Sequence, residues 1–233
     1  MKTVGMIGGI APASTVEYYR LIVDGYHKQI GDDSYPRIFI NSVDLRKLID
    51  LFEAKRFNDV VDYIVAELER LAPAGIDFGF ISSNTPHIVF DEISARSPFP
   101  LLSLIDEVSQ AAQARGFKRL GLFGTAFTVN SGIYPKAFAK GGMVVIPPSD
   151  PELAYIHEHY MNEFANGVFL PATRERLLEI AKEMKTREGI EALILGGTEL
   201  PLILREEDSP KAGIAFLDPI KIHASAIVAR LLS

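Results

Sequence analysis

Short apolar runs interrupt the chain at fairly regular intervals: VGMIGG (4 to 9), RIFINS (37 to 42), DFGFIS (77 to 82), PLLSLI (100 to 105), RLGLFG (119 to 124), MVVIPP (143 to 148), ALILGG (192 to 197) and GIAFLD (213 to 218). Uninterrupted runs of this length predict strands buried on both faces, as in parallel sheets. The stretches between them carry a helical period instead. Val60, Val61, Ile64, Val65, Leu68 and Leu71 form one apolar stripe, which predicts a helix over 59 to 72 with Asn58 as its cap. Ser14 followed by Glu17 has the capping-box spacing and predicts a helix running to about Gln29. Further helices are expected near 106 to 115, 150 to 166, 173 to 187 and 220 to 232. Strand and helix alternate, so the expected fold is α/β with mainly parallel sheet.

Four of the strand ends resemble one another. GGIAPAST (8 to 15), SSNTPH (82 to 87), GTAFT (124 to 128) and GGTELP (196 to 201) each close an apolar run with small residues and a threonine. Open α/β sheets bind ligands beyond the carboxyl ends of their strands. The echo therefore suggests two similar lobes, each a mainly parallel sheet flanked by helices, with an interlobe cleft. The expected division places residues 1 to 100 and a C-terminal segment of about 210 to 233 in lobe one, and about 101 to 209 in lobe two.

Composition narrows the ligand. The chain has 233 residues, 48% hydrophobic and 23% charged, enough for a packed core. Its net charge is −6, and its basic residues are scattered, which argues against nucleic acid or an anionic membrane as partner and for a small molecule. No stretch approaches the roughly 20 apolar residues of a membrane helix, and the opening MKTVGMIGG lacks a signal-peptide pattern, so a cytoplasmic location is expected. Cysteine is absent, which removes disulfides, thiolate metal sites and thiol catalysis together. His157 and His159 stand two apart and diverge on a helix, so no metal site is expected there.

The candidate chemistry lies at the strand ends, and each group has a plain structural reading beside the functional one. Gly8 and Gly9 would let backbone N–H groups approach an anion, or simply make a tight turn. Ser83, Asn84 and Thr85 would cradle a carboxylate, or cap a helix. His87 is a possible acid or base near neutral pH, although a lone histidine is also a common structural residue. Glu199 would accept a ligand ammonium or move a proton, or compensate a helix dipole. Arg46 would clasp a side-chain carboxylate, or remain solvated.

Taken together, these segments resemble the aspartate/glutamate racemase superfamily along essentially the whole chain. MKTVGMIGGIAPASTVEYYRLI is similar to the family's opening, with Ile10 where methionine is usual; Ser83-Asn84-Thr85 with His87 resembles its Cys-Asn-Thr-x-His motif; Gly196-Gly197-Thr198-Glu199 resembles Gly-Cys-Thr-Glu. LGLFGTAFT and FLDP also fall where similar segments are expected. The resemblance implies an often dimeric, hence homodimeric, protein that binds an acidic amino acid without pyridoxal phosphate or any other cofactor. It also implies substrate contacts from Gly9, Ile10, Ser14, Thr15, Asn84, Thr85 and Thr198, and catalytic positions at 83 and 197.

At those two positions the family uses a pair of cysteines on opposite faces of the substrate α-carbon, one removing a proton and the other supplying one. This chain has Ser83 and Gly197. A cysteine titrates near 8.5, whereas a serine hydroxyl needs a neighbouring base and glycine has no side chain to protonate. Two-thiol racemisation is therefore impossible in this sequence. Three readings follow: a racemase-like isomerase with altered acid/base groups such as His87 or Glu199, a catalytically silent binding homologue, or a cysteine-replaced variant of a racemase.

Overall fold

The computed structural model describes residues 2 to 31 and 33 to 233, and these divide into two compact units: the described residues up to 107 together with 220 to 233, and residues 108 to 219. Each is built on a parallel sheet.

In the first unit β1 (Thr3–Gly8) lies between β2 (Arg37–Ser42) and β3 (Phe78–Ile81), with Thr3 opposite Arg37 and Val4 opposite Phe78. β1 and β3 are buried throughout, as runs without polar alternation require. β2 departs from that expectation. It is an edge strand, and Phe39 and Ile40 are exposed on it. The stripe from Val60 to Leu71 is buried in the core with Ile7, Ile81 and Ile93. Its helix, Phe57–Glu69, starts ahead of Asn58 and has no side-chain cap. Each buried aliphatic side chain contributes about 1.5–3 kcal/mol, so the stripe outweighs a missing cap of about 1 kcal/mol.

Two further expectations are corrected here. The first helix spans Pro12–Ile30, with Ala11 at the N-cap, so Ser14 is inside the first turn rather than capping it. Proline presets the helical φ and has no N–H to satisfy, which moves the start upstream of the apparent capping box. Glu17 pairs with Arg20 instead. PLLSLI is not a strand: beyond a single bridge between Gly79 and Leu101, it turns at Ser103 and enters the helix Leu104–Ala114. Ser103 Oγ accepts the Asp106 N–H at 3.2 Å, a local bond that favours a helix start over continued extension.

The second unit orders its strands β5 (Val144–Ile146), β4 (Arg119–Phe123), β6 (Ala192–Leu195) and β7 (Ala215–Leu217), all parallel. Helix Asp150–Asn162 opens with a capping box between Ser149 and Glu152, and helix Pro171–Glu188 closes at Gly189 in the left-handed conformation. Ile156 and Tyr160 from the first of these helices, and Phe164 from the turn that follows it, pack with Leu177, Leu193 and Phe123 in one core.

Candidate functional site

The loop leaving β1 is satisfied from within. Gly9 has φ +84°, and a Cβ there would lie 2.6 Å from the Val43 carbonyl oxygen and 2.8 Å from Ser42 Oγ. Its N–H donates to Thr15 Oγ1 at 2.8 Å. The glycine thus serves the close approach of residues 42 and 43, and its N–H is turned to Thr15. Ile10 is buried beside it. Ser14 is buried as well, with Oγ 2.7 Å from the Ala11 carbonyl, 3.0 Å from that of Ser82 and 3.3 Å from that of Ile10. One hydroxyl proton directed at this carbonyl cluster ties the β1 loop to the β3 loop.

At the end of β3, Ser83 and Thr85 are half-buried and Asn84 is buried, opening a short 3-10 turn. His87 is buried on that turn with both ring nitrogens in use. A carbonyl can only accept, so Nδ1 carries the proton donated to Ser83 O at 2.9 Å, and Nε2 accepts the Leu104 N–H at 3.1 Å. Burial holds its pKa down to about 4. The ring is also stacked on Phe90. His87 is therefore neutral near pH 7, and its ring joins the backbone of Ser83 to that of Leu104.

A second buried histidine, unnoticed in the sequence, holds the same segment from the other side. His223 donates from Nε2 to Leu102 O at 3.2 Å and accepts at Nδ1 from Tyr18 Oη at 2.9 Å. Burial, followed by the neighbouring His87, lowers its pKa to about 3. Arg46 lies apart from this network. Its guanidinium is 74% exposed and pairs with Asp50 at 2.5 Å along the helix Leu45–Glu53. The carboxylate-anchor expectation for it finds no support in this geometry.

In the second unit Thr198 and Glu199 are half-buried just past β6. Thr198 Oγ1 donates to Glu199 Oε2 at 2.6 Å, and Tyr160 Oη donates to the same oxygen. Gly197 is buried under that phenol: a Cβ on it would lie 2.5 Å from Tyr160 Cε2 and 2.5 Å from Tyr160 Oη. Burial, reinforced by the adjacent Glu199 carboxylate, pushes the Tyr160 pKa up, so its hydroxyl keeps its proton at neutral pH. Nearby on the chain's other loop, Thr125 Oγ1 accepts the Thr128 N–H at 3.2 Å and caps a helix start. Among the described residues no group of three or more His, Asp or Glu is placed to hold a metal ion, and no helix is long and apolar enough to cross a membrane.

Two parallel sheets, each ending in a loop of glycine, serine or threonine, match a known pattern: residues 7 to 227 fit the model of the Asp/Glu/hydantoin racemase family. The chain belongs to this family. It is 28% identical over 159 residues to glutamate racemase of Aquifex aeolicus, covering 67% of this chain and 59% of that one. The chain thus matches about three fifths of the length of that curated relative. Among solved structures it is similar to a candidate Asp/Glu racemase from Yersinia pestis, with TM-score 0.93 and 28% identity over the whole of both chains. It also resembles the aspartate racemase of Picrophilus torridus, with TM-score 0.78 and 26% identity over 99% of this chain and 94% of that one. Within this family member the residue that reading of the sequence missed is Tyr160. Its spacing with Ile156 and Phe164 signals only a core helix face, and nothing local to residue 160 announces a contact with residues 197 and 199.

Proposed function

We propose that this family member is an isomerase-type enzyme that exchanges the α-proton of a small acidic amino acid or related dicarboxylate without thiol chemistry, and without a metal or organic cofactor. The observation that carries the reading is the Tyr160–Glu199–Thr198 network, a carboxylate held by two hydroxyls beyond the carboxyl end of β6. Strand ends of this kind are where open parallel sheets take their ligands. The half-buried Ser83 and Thr85 beyond β3 add hydroxyls suited to a ligand carboxylate, and Asn84 shapes the same turn. Gly9, Ile10, Ser14 and Thr15 support that loop from beneath.

The test is loss of the α-proton signal in D₂O by proton NMR, for both enantiomers of aspartate and glutamate. Exchange above buffer that falls in Glu199→Gln supports the reading. Saturable stabilisation by these ligands with no exchange from any of them would leave a silent binding protein, the second reading, which the lack of a free base at His87 favours. The third reading, a racemase with its cysteines simply exchanged, fits Gly197 poorly. Tyr160 already fills the space that a thiol side chain at this position would enter.

A further inference from the structure

The open edge of the first sheet combines outward-facing backbone with an apolar surface. Among the described residues β2 is paired on one side only, to β1. The Val43 N–H donates to Gly8 O at 3.0 Å, and successive residues of a strand turn their N–H and C=O groups to alternate sides. Residues 37, 39, 41 and 43 therefore face β1, and Ile38, Ile40 and Ser42 present their backbone groups to the open side. Edge strands are usually blunted by proline, a bulge or several charges; β2 carries one charge, Arg37 at its first position. Ile40 lies on the face that the helix Pro12–Ile30 covers, since its Cγ2 and the Thr15 side chain both stand within 3.3 Å of where a Gly8 Cβ would be. From Thr15 one flank of that helix continues through Val16, Tyr19, Val23 and His27, and the His27 ring meets Tyr35, just ahead of β2, at 4.3 Å between centroids. Helix and strand thus share one apolar ribbon in which Val16 is 68%, Tyr19 49%, Tyr35 64% and Ile40 41% exposed, with Phe39 37% exposed on the other face of the strand. With a whole aromatic side chain at about 150–250 Å², these five residues leave on the order of 500 Å² of apolar surface in water, a size at which patches on soluble proteins mark interaction sites.

We infer that this edge, with the adjoining helix flank, is the surface on which a second copy of the chain docks: β2 pairs antiparallel with β2 of the other copy about a two-fold axis at Ile40, extending the three-stranded sheet to six. The charges favour this occupant and its direction. Arg37 is exposed at one end of the strand and Asp44 just past the other, so an antiparallel copy sets each arginine near the opposing aspartate, twice over the axis. The register follows from the backbone. With the axis at Ile40, Ile40 faces its own counterpart in a hydrogen-bonded pair and Ile38 faces Ser42, which uses every outward-facing residue of the strand. The two β1 strands then lie about 14 Å apart, three strand spacings, and Val16 and Tyr19 of each copy fill the space between the helices above them. The apolar ribbon supplies the larger part of the about 800 Å² that each partner gives to a stable interface, and the strand backbone with its charged rim supplies the rest. Ser42 and Val43, against which Gly9 turns, end the same strand, so pairing of the edge also braces the β1 loop. The inference is independent of the reaction proposed above.

The experiment measures the mass of the full chain in solution by sedimentation velocity and light scattering over a concentration series, beside Ile40→Lys and Tyr19→Glu, with circular dichroism as the check on folding. The unmodified chain is expected at twice the chain mass. Ile40→Lys sets two like charges against each other on the axis and is expected to raise the dissociation constant by about 10²-fold or more; Tyr19→Glu, on the helix flank, is expected to weaken the dimer as well. Since the chain has no cysteine, Ile40→Cys gives each copy a single thiol. The Cα atoms of a hydrogen-bonded antiparallel pair are about 5.5 Å apart, inside the roughly 4.4–6.8 Å that a disulfide spans. Mild oxidation at low protein concentration is expected to link Ile40→Cys chains in pairs and to leave Ser225→Cys, an exposed position on the helix Pro219–Leu232, unlinked. An unmodified chain that stays monomeric throughout the series overturns the inference. A dimer that persists in both Ile40→Lys and Tyr19→Glu has another interface and overturns it too. Failure of Ile40→Cys to link in a chain that still dimerises overturns the antiparallel pairing at Ile40, and this outcome decides the matter even where Ile40→Lys does not fold.

Discussion

Lowering the pH from 7 to 5 would ask two buried imidazoles of the first unit to accept protons for which the fold has made no room. His87 Nε2 faces the Leu104 N–H, so a proton there sets donor against donor, and His223 already spends its Nε2–H on Leu102 O. Their pKa values are held at about 4 and about 3 in the folded chain, against about 6.5 when unfolded. Because the folded values are depressed, the unfolded state binds more protons below pH 6.5, and stability falls as pH falls. Full stability is present above that value, and the loss proceeds until each folded pKa is reached. Between pH 7 and 5 the linkage relation gives about 2 kcal/mol for each histidine, about 4 kcal/mol together. That is a large part of the 5–15 kcal/mol typical of a folded protein. Urea unfolding at pH 8, 7, 6 and 5, with tryptophan-free tyrosine fluorescence and circular dichroism as probes, reads the slope directly. Imidazole resonances followed over the same range identify the groups. Unfolding free energy that stays level between pH 7 and 5, or either histidine titrating near its ordinary value, would refute the account of these two rings.

Other perturbations test the site more locally. Gly197→Ala places a Cβ against the Tyr160 phenol, and overpacking of this kind is expected to cost about 1–3 kcal/mol in denaturant unfolding. Adding Tyr160→Leu to that variant should recover stability beyond the sum of the single effects, and strict additivity would deny the contact. Gly9→Ala combines φ +84° with a Cβ 2.6 Å from the Val43 carbonyl oxygen; a loss of at least about 1–3 kcal/mol is expected, and an unchanged unfolding midpoint would count against the strained turn. Arg46→Ala is expected to leave ligand-induced stabilisation unchanged, since the side chain is exposed and paired with Asp50. A clear drop in ligand affinity would return Arg46 to the binding surface.

Much of the architecture was legible in the chain itself. Seven of the eight apolar runs are strands, because a run of apolar residues too short for a helix finds its place inside a parallel sheet whatever lies around it. The stripe from Val60 to Leu71 likewise fixes which face of its helix is buried. The failures had local and topological causes: Pro12 moving a helix start, Ser103 turning PLLSLI toward a helix, and β2 taking an edge position that leaves Phe39 and Ile40 partly exposed. The motif positions after β1, β3 and β6 were readable too, since small residues at strand ends follow from the backbone turns made there. What the side chains do at those positions was decided only in three dimensions. His87 looks like a general base until the backbone of residues 83 and 104 claims both its nitrogens. Gly197 looks like a simple deletion of chemistry until Tyr160, 37 positions earlier in the chain, is found lying against it. Periodicity encodes which face of a helix is buried; which atom that face brings to a distant loop depends on packing between segments, and no window of sequence contains both partners.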